Sequence, residues 1–88
     1  MNKQLIFKGE GWSDYLYWQT QDRKILKRIN QLIIDIDRNG YEGIGKPETL
    51  KHSSQGWWSR RIDEKNRLVY RIEDDAIHIA ACRTHYDD

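Results

Sequence analysis

The amino-acid sequence points to an α+β domain in which two N-terminal helices pack on one face of a small, mostly antiparallel twisted sheet. Three features carry that expectation. Ile25, Ile29, Leu32, Ile33 and Ile36 recur at helical spacing, and three later segments alternate as half-buried strands do. The connections between those segments are short and polar, as antiparallel hairpins require. With 88 residues, the chain has room for one domain spanning residues 1–88. A domain of this size buries only about 60–65% of its unfolded surface, so a surface cleft is the expected form of any site.

The elements follow in order. Lys3 to Lys8 alternates loosely around Leu5 and Phe7 and reads as a first strand, closed by Gly9 and Gly11. A helix starting at Gly11 or Ser13 presents Trp12, Tyr15 and either Leu16 or Trp18 as its apolar face. A second begins near Asp22, carries the isoleucine-rich stripe and stops at Gly40, a residue suited to the left-handed conformation of a helix end. Tyr41 to Pro47 is too rich in glycine for regular structure. Trp57 to Asp63, Arg67 to Glu73 and Ala76 to Thr84 complete the sheet, joined through Glu64-Lys65-Asn66 and Asp74-Asp75. In the middle of these, Leu68, Tyr70 and Ile72 should face the helices while Arg67, Val69 and Arg71 face away. Trp58 is expected on the core side and Trp57 outside. Which of Arg60 and Arg61 shares the open face is not set by the pattern.

The charge balance, 15 Lys and Arg against 14 Asp and Glu, conceals an uneven distribution. From Gly43 to Ile72 the cations Lys46, Lys51, Arg60, Arg61, Lys65, Arg67 and Arg71 face only Glu48, Asp63 and Glu64, so a polyanion should meet the middle of the chain. One cysteine, Cys82, cannot form an internal disulfide, and neither a signal sequence nor a membrane-length apolar run is present, which makes the cytoplasm the expected compartment and excludes a membrane partner. Cys82 lies among Ile79, Ala80 and Ala81 and reads as a buried filler. His52, His78 and His85 lack the spacing of a metal site, so neither metal nor cofactor is expected. Gly43-Ile44-Gly45-Lys46 is too short for a nucleotide-binding loop, although Lys46 can meet a phosphate.

What remains has a chemical logic. Glu48, Lys51 and His52 lead into the sheet, Arg60, Arg61, Arg67 and Arg71 lie on it, and Arg83, His85 and Tyr86 follow it. Splitting an RNA phosphodiester without a metal takes a base for the 2′-hydroxyl proton, cations for the charge growing on the phosphoryl oxygens, and an acid for the departing 5′-oxygen. A carboxylate with an ordinary pKa near about 4.3 is ionised at neutral pH, and an imidazole near about 6.5 is partly protonated, so both kinds of proton carrier are present.

The runs Trp12-Ser13-Asp14-Tyr15-Leu16-Tyr17-Trp18, Gly45-Lys46-Pro47-Glu48, Leu50-Lys51-His52, Trp58-Ser59-Arg60-Arg61-Ile62, Arg67-Leu68-Val69-Tyr70 and Ala80-Ala81-Cys82-Arg83 with His85-Tyr86 span nearly the whole chain. Together they resemble the YoeB (Txe/YoeB) toxins of bacterial toxin-antitoxin systems, within the RelE/ParE superfamily. The resemblance implies a microbial-ribonuclease-like fold and cleavage of mRNA in the ribosomal A site. It also implies a homodimer, inhibition by a YefM-like antitoxin, and repression of operator DNA by the toxin-antitoxin complex. By motif it makes Glu48 the general base, Lys51, Arg61 and Arg67 the phosphate and transition-state stabilisers, His85 the general acid and Tyr86 the group that positions a base. Lys46, Lys51, Arg61, Arg67 and Tyr86 are then the RNA-binding residues.

Two positions depart from the family pattern. Thr49 replaces a second proline, which loosens the loop aiming Glu48. Asp87-Asp88 extends past the His-Tyr pair, where two carboxylates either raise the pKa of His85 or repel RNA. Two rival readings stand beside the nuclease: a non-catalytic toxin of the same fold that binds DNA gyrase, as in the ParE branch, and a basic RNA-binding module without chemistry.

Overall fold

The computed structural model describes residues 1–51 and 55–84, the last of these by its backbone alone. The order is β1 (Gln4–Phe7), α1 (Gly11–Gln21), α2 (Arg23–Asn39), β2 (Glu48–Thr49), β3 (Trp58–Arg61), β4 (Arg67–Glu73) and β5 (Ala76–Thr84). The five strands lie in the order β1-β5-β4-β3-β2. β1 pairs parallel with β5, Phe7 opposite Ile79, and the other neighbours are antiparallel. Both helices lie on one side, in agreement with the expected architecture.

Asp22 separates the helices by turning extended and by capping α2, its carboxylate accepting the N–H groups of Lys24 at 3.0 Å and Ile25 at 3.2 Å. The stripe of α2 meets the sheet as its spacing requires: Ile29, Leu32, Ile33 and Ile36 are buried against Leu68, Tyr70, Ile77, Ile79 and Cys82. Near the end of the same helix Asp37 accepts the backbone N–H groups of Asn2 and Lys3, which ties down the chain start. Gly40 ends α2 at positive φ (68°), but its ψ of −114° lies outside the left-handed helical region expected of it.

α1 buries only part of its expected face: Tyr15 packs against the core and Trp18, the alternative to Leu16, is in it. Trp12 and Leu16 remain 51% and 43% exposed, and the buried line is Gly11, Asp14 and Trp18. The reason is the close approach of the helix to β5: a Cβ on Gly11 would lie 2.4 Å from the carbonyl oxygen of Ile79. That contact turns the glycine side of the helix inward and rotates Trp12 and Leu16 out.

In β4, Leu68 and Tyr70 are fully buried and Ile72 packs at the margin of the core, as alternation requires. Val69 points the other way and is nonetheless buried, because it lies in the middle of the sheet between Ser59 and Ala81. Trp58 stacks on Tyr41 with centroids 4.4 Å apart and packs against the core, half-buried rather than enclosed, while Trp57 lies outside beneath the Arg71 guanidinium. β3 is shorter than the predicted Trp57 to Asp63, since the Asp63 carboxylate takes the N–H groups of Lys65 and Asn66 and closes a turn. Asp74 and Asp75, both at positive φ (54° and 59°), make the two-residue β4–β5 connection. β2, two residues long, is too short to announce itself by alternation.

Candidate active site

Cross-strand partners share a face, so the pairings define what the helix-free side of the sheet presents. Glu48 pairs with Ser59, Ser59 with Val69 and Val69 with Ala81, which makes one row across four strands. In the next row Arg61 pairs with Arg67 and Arg67 with Thr84. Ser59, Val69 and Ala81 are small and buried, and they form a floor. Glu48 rises at one end of it and the two arginines along its flank. Sheet spacings put the Glu48 and Arg61 Cα atoms about 8 Å apart and those of Glu48 and Arg67 about 12 Å apart, distances that long side chains can bridge through one phosphate.

Arg60 and Arg61 are adjacent yet have opposite fates. Arg60 turns inward, is fully buried, and donates to the Tyr70 hydroxyl at 3.1 Å and to the carbonyls of Ile44 at 3.0 Å, Gly40 at 2.8 Å and Glu42 at 2.6 Å, besides an ion pair with Asp35. It therefore organises the glycine-rich loop 40–45. Burial opposes ionisation of Asp35, but Arg60, the Ile44 N–H and the Asn39 amide outweigh it and hold the carboxyl below the usual range. Arg61 faces out, exposed, with its guanidinium unpaired among the described residues. Its backbone N–H donates to the Gly45 carbonyl at 2.7 Å, which draws the loop alongside it and delivers Lys46, Pro47 and Glu48 to the edge of the sheet.

Arg67 is half-buried, its guanidinium held by the carbonyls of Asp63 at 2.9 Å and Asn66 at 3.2 Å. Two backbone carbonyls orient it without neutralising its charge. Burial opposes ionisation of Asp63 too, yet the N–H bonds from Asn66 and Lys65, with the Arg67 charge, keep its carboxyl low. Lys46, at positive φ (52°), and Lys51 are exposed at either end of β2, and Glu48 is exposed on it. On this face two arginines, Arg61 and Arg67, share the sheet surface with one carboxylate, Glu48, and the two lysines flank β2 in sequence. Arg71 differs: it is paired with Glu73, bonded to the Gln55 carbonyl at 2.7 Å and set over the Trp57 ring, so it is occupied.

His85, Tyr86, Asp87, Asp88 and His52 lie outside the described residues. The described part of β5 ends at Thr84 opposite Arg67. His78 is in the sheet, its Nε2 3.3 Å from the Glu73 carbonyl oxygen. Burial, with Lys8 and Arg71 nearby, pushes its pKa below the ordinary value against the pull of Asp74. Burial also pushes the Cys82 thiol up to about 12, helped by Asp14, which leaves it protonated and unreactive. Among the described residues no three His, Cys, Asp or Glu side chains gather as a metal site would need. No described helix is long and apolar enough to cross a membrane.

Sequence reasoning passed over the loop-organising role of Arg60. The signal was alternation itself: with Trp58 inward, Arg60 must be inward as well and Arg61 outward.

Comparison with known proteins bears on the whole of this surface. A toxin YoeB from Escherichia coli (strain K12) is 58% identical over 82 residues, covering 93% of this chain and 98% of that protein. The structure of a YoeB dimer from Staphylococcus aureus superposes with a TM-score of 0.92 at 47% identity over 98% of this chain and all of that one. A YoeB-YefM complex from Staphylococcus aureus gives 0.87 at 46% identity, with the same coverage. The family model for the YoeB-like toxin of bacterial type II toxin-antitoxin systems matches residues 7–86, from β1 past the end of β5, and the chain belongs to that family.

Proposed function

We propose that this toxin is an endoribonuclease that cuts mRNA in the ribosomal A site and so stops translation. The observation that supports it most is the grouping of Glu48, Arg61 and Arg67 on one sheet face, with the last described residue of β5, Thr84, opposite Arg67 and His85 and Tyr86 next in sequence. In this reading Glu48 takes the proton of the 2′-hydroxyl, whose oxygen attacks the adjacent phosphorus. Arg61, Arg67 and Lys51 hold the charge that gathers on the phosphoryl oxygens. His85 hands a proton to the 5′-oxygen as the bond to it breaks, leaving a 2′,3′-cyclic phosphate and a 5′-hydroxyl. Lys46 contacts the RNA backbone and Tyr86 a base. No cofactor is needed. The open, shallow face leaves substrate orientation to the ribosome, whose contribution is the entropy of holding the RNA in place.

The partners proposed for the chain are a YefM-like antitoxin, a second copy of itself, the ribosome with its mRNA, and operator DNA as the toxin-antitoxin complex. The first two are supported by the Staphylococcus aureus YoeB-YefM complex and YoeB dimer. The deciding experiment measures growth arrest and A-site cleavage for Glu48→Gln and His85→Ala. Each should cleave about 10²- to 10⁴-fold more slowly than the parent. Full toxicity of Glu48→Gln on intact mRNA would indicate an RNA-binding module, and arrest with gyrase inhibited and mRNA intact would indicate a ParE-like toxin.

A further inference from the structure

β1 ends beside Ile79, and past that point the edge of β5 needs other partners for its backbone. The register against β4 also slips here, from Tyr70 opposite Ile79 to Val69 opposite Ala81 and then Arg67 opposite Thr84. α1 closes the gap. The Asp14 carboxylate accepts the Cys82 N–H at 3.0 Å, and the Trp18 indole N–H donates to the Cys82 carbonyl at 2.8 Å. One residue on, the Arg83 guanidinium lies 3.6 Å from the centroid of the Tyr17 ring. Asp14 and Trp18 are each 8% exposed, so both bonds are shielded from water, and Gly11 lets the helix come close enough to make them. Asp14 occupies the first turn of α1, where the helix dipole favours a negative group.

We propose that Asp14, Trp18 and Tyr17 are positioning residues for the terminal segment. By holding both backbone groups of Cys82 and the side chain of Arg83, α1 fixes the strand three residues before His85. This rests on the proposed nuclease reading, in which His85 must reach the 5′-oxygen of a phosphate held by Arg61 and Arg67. Misplacing a reacting group by about 1 Å can cost 10²-fold in rate.

The test is single-turnover cleavage of mRNA on programmed ribosomes, with ribosome affinity measured separately. Trp18→Phe removes the indole donor and keeps an aromatic ring; Asp14→Ala removes the acceptor; Asp14→Asn restores one. Trp18→Phe and Asp14→Ala should cleave roughly 10- to 100-fold more slowly with affinity essentially unchanged, and Asp14→Asn should recover most of the rate. Tyr17→Leu, at a half-buried position that folding tolerates better, should lower the rate by a smaller factor and keeps the inference testable if the buried variants misfold. Parental rates in Trp18→Phe and Tyr17→Leu, a loss residing in affinity, or an Asn variant as slow as Ala overturns the inference. The parent and His85→Ala are assayed alongside. If the parent does not cut, the nuclease reading fails and this inference with it; if the parent cuts in a His85-dependent way and the α1 variants match it, only the positioning role fails.

Discussion

Arg60→Ala is expected to destabilise the protein more than loss of any exposed arginine. The guanidinium is fully buried and makes five hydrogen bonds, to Asp35, the Tyr70 hydroxyl and the carbonyls of Gly40, Glu42 and Ile44. Removing one partner of a buried ion pair typically costs about 3–5 kcal/mol, and each acceptor left without a donor adds roughly 1–3 kcal/mol where water cannot replace it. Asp35 is 18% exposed, so water recovers part of the loss at that end. Glu42 and Ile44 are exposed as well, so water can replace the lost donor at the loop carbonyls and the net cost stays near the ion-pair figure, about 3–4 kcal/mol. A domain of 88 residues is stable by only about 4–13 kcal/mol, so most of the margin can go. At about 4–8 °C per kcal/mol the thermal midpoint should fall roughly 12–30 °C. Arg60→Lys should lie between, since an ammonium offers three donors where the guanidinium offers five. Urea unfolding followed by far-UV circular dichroism measures both. A loss under about 1 kcal/mol for Arg60→Ala would refute the account of loop 40–45 as organised by this side chain.

Arg61→Ala should slow A-site cleavage about 10²- to 10³-fold and leave the urea midpoint unchanged, whereas Arg71→Ala, already paired with Glu73, should cleave within a few-fold of the parent; equal losses in rate would contradict the separation of the two. Gly11→Ala should cost roughly 1–3 kcal/mol, because its Cβ would meet the Ile79 carbonyl oxygen at 2.4 Å and α1 must lift from β5; an unchanged midpoint would show that the contact is easily relaxed. His78 has a folded pKa below its unfolded value, so its contribution to stability is complete above about pH 6.5 and is lost as pH falls through the folded value. His78→Leu should therefore flatten the slope of stability between about pH 7 and 5, and identical slopes in parent and variant would rule out this residue as its source.

Local physics made much of the fold legible. The stripe on α2 and the alternation of β4 and β5 reflect periods of 3.6 and 2 that the backbone itself imposes. Asp22 was readable as a break because a short carboxylate side chain caps orphan N–H groups. The buried face of α1 was readable only in part. Its hydrophobic residues suggested Trp12, Tyr15 and either Leu16 or Trp18; Tyr15 and Trp18 do pack inward, but only the close approach of Gly11 to β5 turns Trp12 and Leu16 outward and buries Asp14. β2 was missed because two residues carry no period.

The same division holds for the candidate site. By itself the chain determined which residue types are present for proton transfer and phosphate contact, and the locally basic stretch that carries Glu48 and the cations, because composition and motif spacing are properties of the covalent string. The tertiary structure alone decided which groups of loop 40–45 enclose Arg60, that Glu48 shares a sheet face with Arg61 and Arg67, and that α1 grips the end of β5. Those outcomes depend on cross-strand register and on how closely a helix approaches a sheet, both set by contacts between residues far apart in sequence, which no local pattern encodes.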